Sequence, residues 1–532
     1  MSVMEQITLT ILETSDIHGN IFPINYGTNE ESPLGLAKIA TVIKREKKQK
    51  PYVLVVDNGD LIQGTPLTYH YIRFANHKPN PMIKILNCLE YDAGVIGNHE
   101  FNYGMKVLNQ AVQESVFPWL SCNIVHKSTK EPYFGKPYTI KVFANGLKVA
   151  VLGVTTHYIP NWENPSHISE LAFEDALQAT KKWVGYLRDH EEFDLLVVSY
   201  HGGFEKELET GKATEPLTGE NQAYDICQTI EGIDVLLTGH QHRTIAADSL
   251  NGVTVVQPSF NGKGIGRVII NMEKQGNAWV VCDKKADVIL MDEIETDQEI
   301  IQLAQEYENS TQKWLDQPIG FIEGDMSIQD PMKVRVEEHP LIEFINKVQM
   351  DATGAQISNT ALFNNSSRGF SSKVTMRDLV SNYIYPNTLT VLQISGADIK
   401  AALEQSATYF QLSSDGRITV NPDFSEPKPQ HYNYDMWEGI HYMIDVSEPF
   451  GHRIKDLSIN GKPIKSDELF EVVMNNYRAG GGGEYTMFKN KPVIKEVQTD
   501  MTELLANYFL THKTIRAEVN HNWKVIGGKY PY

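Results

Sequence analysis

Asp, Asn and His recur in short glycine-bearing turns along the first half of the chain. The turns are Ser15-Asp16-Ile17-His18-Gly19-Asn20, Asp57-Asn58-Gly59-Asp60, Gly97-Asn98-His99-Glu100, Tyr200-His201-Gly202-Gly203 and Thr238-Gly239-His240-Gln241-His242. Taken singly, each is an ordinary turn or cap, since Asp and Asn side chains hydrogen-bond nearby backbone there. Taken together they are a donor set. Carboxylate and amide oxygens with imidazole nitrogens suit divalent Mn, Zn, Fe, Ni or Mg, and His-X-His brings two imidazoles near one another. Adjacent glycines let the backbone approach a metal or phosphate closely. Asp16, His18, Asp60, Asn98, His201, His240 and His242 supply enough donors for two ions if one carboxylate bridges.

Each of these turns follows an apolar, β-branched run, at residues 7–14, 52–56, 93–96, 195–199 and 235–237, and 148–154 is a further run of this kind. Nearly unbroken apolar runs read as strands buried on both faces, with helices covering the sheets. A layered α/β arrangement follows, either a simple sandwich or an α/β/β/α one. Ligands of such sheets gather at the carboxyl ends of strands, where all five turns lie. Five separate segments then converge on one crevice.

The 532 residues exceed what one core holds, so two domains are expected. We read residues 1–295 as the first domain and 317–532 as the second. Between them, at 296–316, Ile300, Ala304, Tyr307, Thr311 and Trp314 recur at helical spacing, as in an amphipathic connector or the last helix of the first domain. The second half reads as mixed α+β. His339-Pro340 opens one helix and Ser395-Gly396-Ala397-Asp398 caps another. Strands are expected at 439–446 and 469–475, the latter running into Gly480-Gly481-Gly482-Gly483.

A formal charge of −19, from 48 basic and 67 acidic residues, argues against binding nucleic-acid polymers, which depends on many Lys and Arg contacts. It leaves room for a small phosphorylated ligand, because bound cations dominate the potential at close range. No stretch reaches the ~20 apolar residues of a bilayer span, so no membrane partner is expected. The opening Met1-Ser2-Val3-Met4-Glu5-Gln6 has no basic segment followed by an apolar one, and the expectation is a cytoplasmic protein. Cys88, Cys122, Cys227 and Cys282 are far apart, which suits a reducing compartment and gives no sulfur-based metal site.

The ordered set Asp-X-His, Gly-Asp, Gly-Asn-His-Glu, His and Gly-His-X-His resembles the signature of calcineurin-like metallophosphoesterases. The nearer likeness is to their 5′-nucleotidase and 2′,3′-cyclic-nucleotide phosphodiesterase branch, and it extends to Asn475-Asn476-Tyr477-Arg478 in the second half. The resemblance implies an α/β/β/α metallophosphoesterase sandwich with a C-terminal α+β nucleotide-binding domain, and two divalent ions such as Mn, Zn or Fe. It implies that Asp16, His18 and His242 hold one ion, that Asn98, His201 and His240 hold the other, and that Asp60 bridges. By the same resemblance His99 is the catalytic histidine, and Tyr477 and Tyr434 clasp the nucleobase.

Three positions depart from the 5′-nucleotidase pattern. Asn102 stands where that pattern has Asp, in a Phe101-Asn102-Tyr103-Gly104 form similar to the cyclic-phosphodiesterase/3′-nucleotidase relatives. Gly483 replaces a loop Asp, and Asn359-Thr360-Ala361-Leu362-Phe363-Asn364 replaces Gly-Gly-X-Arg, with Arg368 as an alternative phosphate contact or a solvated cation. The implied activity is hydrolysis of nucleotide phosphate esters, as a 2′,3′-cyclic-nucleotide phosphodiesterase/3′-nucleotidase or a 5′-nucleotidase. Its rivals are a nucleotide-sugar pyrophosphohydrolase, another small phosphate-ester phosphatase, and a catalytically weak nucleotide-binding protein.

Overall fold

The run Gln6–Thr14 alternates β-branched residues and is buried from Leu9 onward on both faces, as expected of a strand inside a sandwich. In the computed structural model, which describes residues 5–530 except 216, 277, 386, 427 and 498, it is strand β1. The expected runs recur as β2 (Val53–Asp57), β3 (Ala93–Val95), β6 (Lys148–Thr155), β7 (Leu195–His201) and β8 (Val235–Thr238). Their neighbours are β4 (Trp119–Leu120), β5 (Tyr138–Val142), β9 (Thr244–Leu250), β10 (Val253–Pro258), β11 (Gly264–Gln275) and β12 (Ala278–Leu290).

These strands make two six-stranded sheets, ordered β12-β11-β1-β2-β3-β4 and β9-β10-β8-β7-β6-β5. β1, β2 and β3 run parallel, with Thr14 beside Asp57 and Val56 beside Ala93. β6, β7 and β8 do the same, with Leu195 beside Val149 and Val197 beside Val235. The sheets share one apolar layer, Leu9, Ile11, Leu54 and Val56 meeting Val149, Val151, Val197 and Leu237. Period-two alternation sends Leu152, Leu196, Val198 and Leu236 to the other face of the second sheet. There they pack with Ala179, Val184 and Leu187 of α2 (Ala176–His190) and Ile226 of α3 (Ala223–Thr229). On the first sheet α1 (Leu36–Gln49) buries Leu36, Ile39, Val42 and Ile43 and packs on β2. This is the α/β/β/α sandwich.

The chain divides into two compact units, Met1–Thr311 and Gln312–Tyr532, and α4 (Gln298–Leu315) runs through the boundary. Its buried Ile300, Ala304 and Thr311 belong to the first unit, where Tyr307 donates to the Pro79 carbonyl at 2.8 Å.

In the second unit a five-stranded sheet has the order β15-β13-β16-β14-β17, formed by β13 (Ile357–Ala361), β14 (Leu389–Ser395), β15 (Asp435–Glu438), β16 (Leu469–Asn475) and β17 (Val493–Val497). Its two expected helices are present. His339 caps α5 (Pro340–Thr353) by accepting from Leu341 N, and Ser395 with Asp398 closes a capping box on α6 (Gly396–Ala407). The expected strand at 439–446 is shorter, His441–Asp445, and pairs in a separate sheet with Trp523–Ile526. β15, just before it, borders the large sheet instead; a turn at Gly439-Ile440 separates the two.

Candidate metal centre

Five of the seven expected donors have left-handed backbone: Asp16 (φ 53°), His18 (49°), Asp60 (56°), His240 (68°) and His242 (58°). Residues with a Cβ rarely adopt this region, and such strain gathers at functional sites. The turns are held by backbone bonds between segments: Asp16 N to Gly59 O at 2.9 Å, His18 N to Asp60 O at 2.8 Å and Gly239 N to Gly202 O at 3.0 Å. Gly59, at φ 97°, is required beside Asp60, since a Cβ there would lie 2.6 Å from Gly97 N and 3.0 Å from His201 Nδ1.

The donors form two groups, Asp16 with His18 and His242, and Asp60 with His201 and His240, the ligand atoms of each lying within 4.8 Å of one another. His18 Nε2 and His242 Nε2 are 3.0 Å apart, and His242 Nε2 is 3.5 Å from Asp16 Oδ1. In the second group His201 Nε2 is 3.3 Å from Asp60 Oδ2. The Asn98 Oδ1 atom completes this group, 3.1 Å from His201 Nε2 and 2.9 Å from His240 Nδ1. Asp60 Oδ2 also lies 4.0 Å from His18 Nε2, so one oxygen stands within reach of a histidine from each group.

Burial alone would raise the Asp60 carboxyl, but the charges of His201, His99 and His18 outweigh it and hold the group well below the usual carboxylate range. Burial works against charge on His201 too, yet Asp60 lifts that ring to about 10. Oxygen and nitrogen atoms aimed at shared points, with no sulfur, fit first-row divalent cations.

Around the donors the structure adds residues that the sequence reading passed over. The buried Glu100 carboxylate accepts from Gly97 N at 2.7 Å, Asp60 N at 2.9 Å and Leu61 N at 2.6 Å, pinning two turns together. Asn58 accepts from Ser199 Oγ at 2.7 Å through its side chain, and its carbonyl faces His201 Nδ1 at 2.7 Å. Glu220 Oε1 stands 2.9 Å from His240 Nε2, as a carboxylate partner orients a ligating ring. Trp162 stacks on His240, and Phe260 on His242. Glu100 stood inside the Gly97-Asn98-His99-Glu100 motif and Asn58 inside the Asp57-Asn58-Gly59-Asp60 turn; the other three carried no local signal.

His99 is half-buried at the edge of the cluster. Its ring centroid is 5.2 Å from that of His18, and its backbone N donates to Asp60 Oδ1 at 2.7 Å. His99 Nδ1 faces Asn102 Oδ1 at 2.7 Å, so position 102 does touch the ring.

In the second unit the two expected tyrosines part ways. Tyr477 is half-buried. Asn475 caps its short helix by accepting from Arg478 N at 2.8 Å, and Arg478 is anchored on Asp435 at 2.7 and 3.0 Å. Gly482 lies flat against the Tyr477 ring, where a Cβ would come within 2.5 Å of the ring carbons; the glycine run is a packed surface rather than a loose turn. Tyr434 is corrected: its ring is fully buried, stacked on Tyr409 at 5.0 Å with Phe410 edge-on, and its hydroxyl donates to the Arg335 carbonyl. No ring face is left for a base. Tyr432, two residues earlier in the same segment, is half-buried and meets Tyr477 edge-on at 6.3 Å. Asn359 and Thr360 are buried within β13, and Arg368 is exposed.

Comparison with known proteins matches residues 9–244 to the calcineurin-like phosphoesterase model and 318–490 to the 5′-nucleotidase C-terminal domain. The chain is similar to a Staphylococcus aureus crystal structure described as a 5′-nucleotidase: 34% identity, TM-score 0.89, 97% of this chain and 99% of that one. It is 27% identical to the Yersinia enterocolitica 2′,3′-cyclic-nucleotide 2′-phosphodiesterase/3′-nucleotidase, over 98% of this chain and 88% of that protein. It is also 27% identical to the trifunctional nucleotide phosphoesterase YfkN of Bacillus subtilis, but spans only 39% of that protein's length.

Proposed function

We infer that this chain, which belongs to the calcineurin-like phosphoesterases carrying a 5′-nucleotidase C-terminal domain, hydrolyses nucleotide phosphate esters as a 2′,3′-cyclic-nucleotide phosphodiesterase/3′-nucleotidase. The observation that carries the reading is the pair of donor groups meeting at Asp60 Oδ2, with His99 beside them. Asp16, His18 and His242 would hold one cation, Asn98, His201 and His240 the other, and Asp60 both. The donor set fits Mn²⁺, Zn²⁺ or Fe²⁺. When bound, such a pair supplies positive charge to the phosphoryl oxygens and acidifies an attacking water.

The residues of the chain do the rest. Glu100 and Asn58 hold Asp60 and His201 in place before substrate arrives, so little reorganisation is needed during reaction. His99, reaching the same cluster, protonates the leaving oxygen. Tyr477 offers one ring face to a base, with Tyr432 rather than Tyr434 as its neighbour, and stacking on tyrosine tolerates any base. The branch is supported by Asn102 and by the name of the Yersinia relative. A cytoplasmic location belongs to the same proposal, since the four cysteines are free and Cys88 and Cys282 exposed, as suits a reducing compartment.

The test is a panel of 2′,3′-cyclic, 3′- and 5′-nucleotides with Mn²⁺, Zn²⁺ or Fe²⁺, beside 4-nitrophenyl phosphate. Turnover of the cyclic and 3′-nucleotides above the 5′ set is expected. Cleavage of the aryl ester alone would remove the nucleotide reading, and inertness toward all would favour a binding protein.

A further inference from the structure

We propose that Glu163 is a positioning residue for this hydrolysis: through the amide of Asn102 it fixes which ring nitrogen of His99 carries the permanent hydrogen. The inference rests on the reading of His99 as proton donor. Asn102 Nδ2 donates to Glu163 Oε2 at 2.8 Å. A carboxylate only accepts, so the Asn102 amide must turn its NH2 toward Glu163 and its oxygen toward His99. That oxygen lies 2.7 Å from His99 Nδ1. An amide oxygen also only accepts, so Nδ1 bears hydrogen whether the ring is neutral or cationic. Nε2 is then the atom that gives its proton to the ester oxygen as the P–O bond breaks, leaving a neutral ring with hydrogen on Nδ1.

Glu163 is itself held. Its side chain is 5% exposed, Oε1 accepts from Asn164 N at 2.7 Å, and the same oxygen faces His167 Nδ1 at 2.9 Å. The preceding residue, Trp162, stacks on His240 at 5.3 Å, so one short segment after β6 braces both His240 and the His99 relay. The negative charge that an Asp at position 102 would place against the imidazole thus stands one residue further out, and the Asn transmits it. With an amide at 163, which offers an oxygen or an NH2, the Asn102 amide is free to flip, and its NH2 would then demand the opposite tautomer of His99.

The experiment compares wild type, Glu163→Gln, Asn102→Asp and the double variant, each loaded with Zn²⁺. Selective ¹⁵N-histidine spectra, with His99 assigned from His99→Gln, report the tautomer. Neutral His99 is expected with hydrogen on Nδ1 in wild type and as a mixture in Glu163→Gln. That variant should lose about tenfold or more in kcat on a 3′-nucleotide, with KM and metal content held. Asn102→Asp sets two carboxylates against each other and should also lose kcat. The double variant should recover most of it, since the new amide at position 163 donates to the new carboxylate at position 102, which still accepts from His99. Hydrogen on Nε2 in the wild-type spectrum overturns the proposal, even if a variant fails to fold. So does a double variant whose loss is the product of the two single losses. Full kcat in His99→Ala would instead refute the proton-donor reading, which the tautomer measurement does not touch.

Discussion

Among the described residues, both units bring charged donors within 4.8 Å of one another, and they do so in opposite ways. In the first unit every Asp and His of the two groups except His201 sits on a turn with left-handed backbone, their ring nitrogens and carboxylate oxygens pointing at each other. In the second unit Glu338, Glu343 and Glu438 also form a tight group, but the protein answers it from within. Lys347 pairs with Glu343 at 2.6 Å, Asn520 donates to Glu438 at 2.7 Å, and His521 N donates to Glu338. None of the three has positive φ. Proximity alone therefore does not mark a cation site. Donors gathered at the cost of backbone strain, and aimed at shared points, do.

The comparison breaks most sharply at Asp60. If its Oδ2 serves both groups, Asp60→Asn should lower the metal content from two ions per chain and remove several kcal/mol of transition-state stabilisation. The fold should persist, because Glu100 binds the backbone at residue 60 rather than the side chain. Full metal content by elemental analysis, with wild-type turnover, would dissolve the distinction between the two regions. His99→Ala should come next, lowering kcat and kcat/KM together by ~10²–10⁴-fold with both ions retained. Unchanged kcat on a nucleotide would take His99 out of the chemistry.

How far each region could be read in the sequence follows from the same contrast. The five donor turns were legible because each closes an apolar strand, and a His or Asp after such a run breaks the pattern visibly. The strands were placed within one or two residues for the same reason. Tyr434 was misjudged because an aromatic residue in a strand-like segment looks alike whether it lines a pocket or fills a core; only packing against Tyr409 decides. Trp162, Glu163 and Glu220 were invisible, since they come from loops whose approach to His240 and Asn102 is a matter of tertiary folding. Asn102 was noticed as a departure, but its partner could not be named from spacing.

The tyrosines give the next two effects. Tyr434→Ala removes a fully buried ring and should cost roughly 3–5 kcal/mol of stability, with no selective effect on nucleotides. Tyr477→Ala should leave stability nearly intact and raise KM for nucleotides by the equivalent of ~1–3 kcal/mol of lost stacking, while 4-nitrophenyl phosphate is little changed. Tyr477→Phe should be mild. Equal losses on both substrates, or none on either, would leave the second unit without a role in reading the base.

The smallest expected effect concerns the carboxylate group itself. Burial, and then the neighbouring Glu343 and Glu438, push Glu338 up to about 7 from its ordinary 4.5, so the folded protein holds a proton there that the unfolded chain has released. Between those two values the folded state binds more protons than the unfolded one, and stability must fall as pH rises. Glu338→Gln mimics the protonated acid at every pH. It should be close to neutral at pH 4.5 and stabilising above pH 7, by on the order of 1 kcal/mol or more. Denaturation at the two pH values measures this directly. Elemental analysis of the same variant should match wild type. A loss of bound metal, or a variant less stable than wild type above pH 7, would mean that a cation rather than a proton settles this group, and the contrast with the first unit would fail.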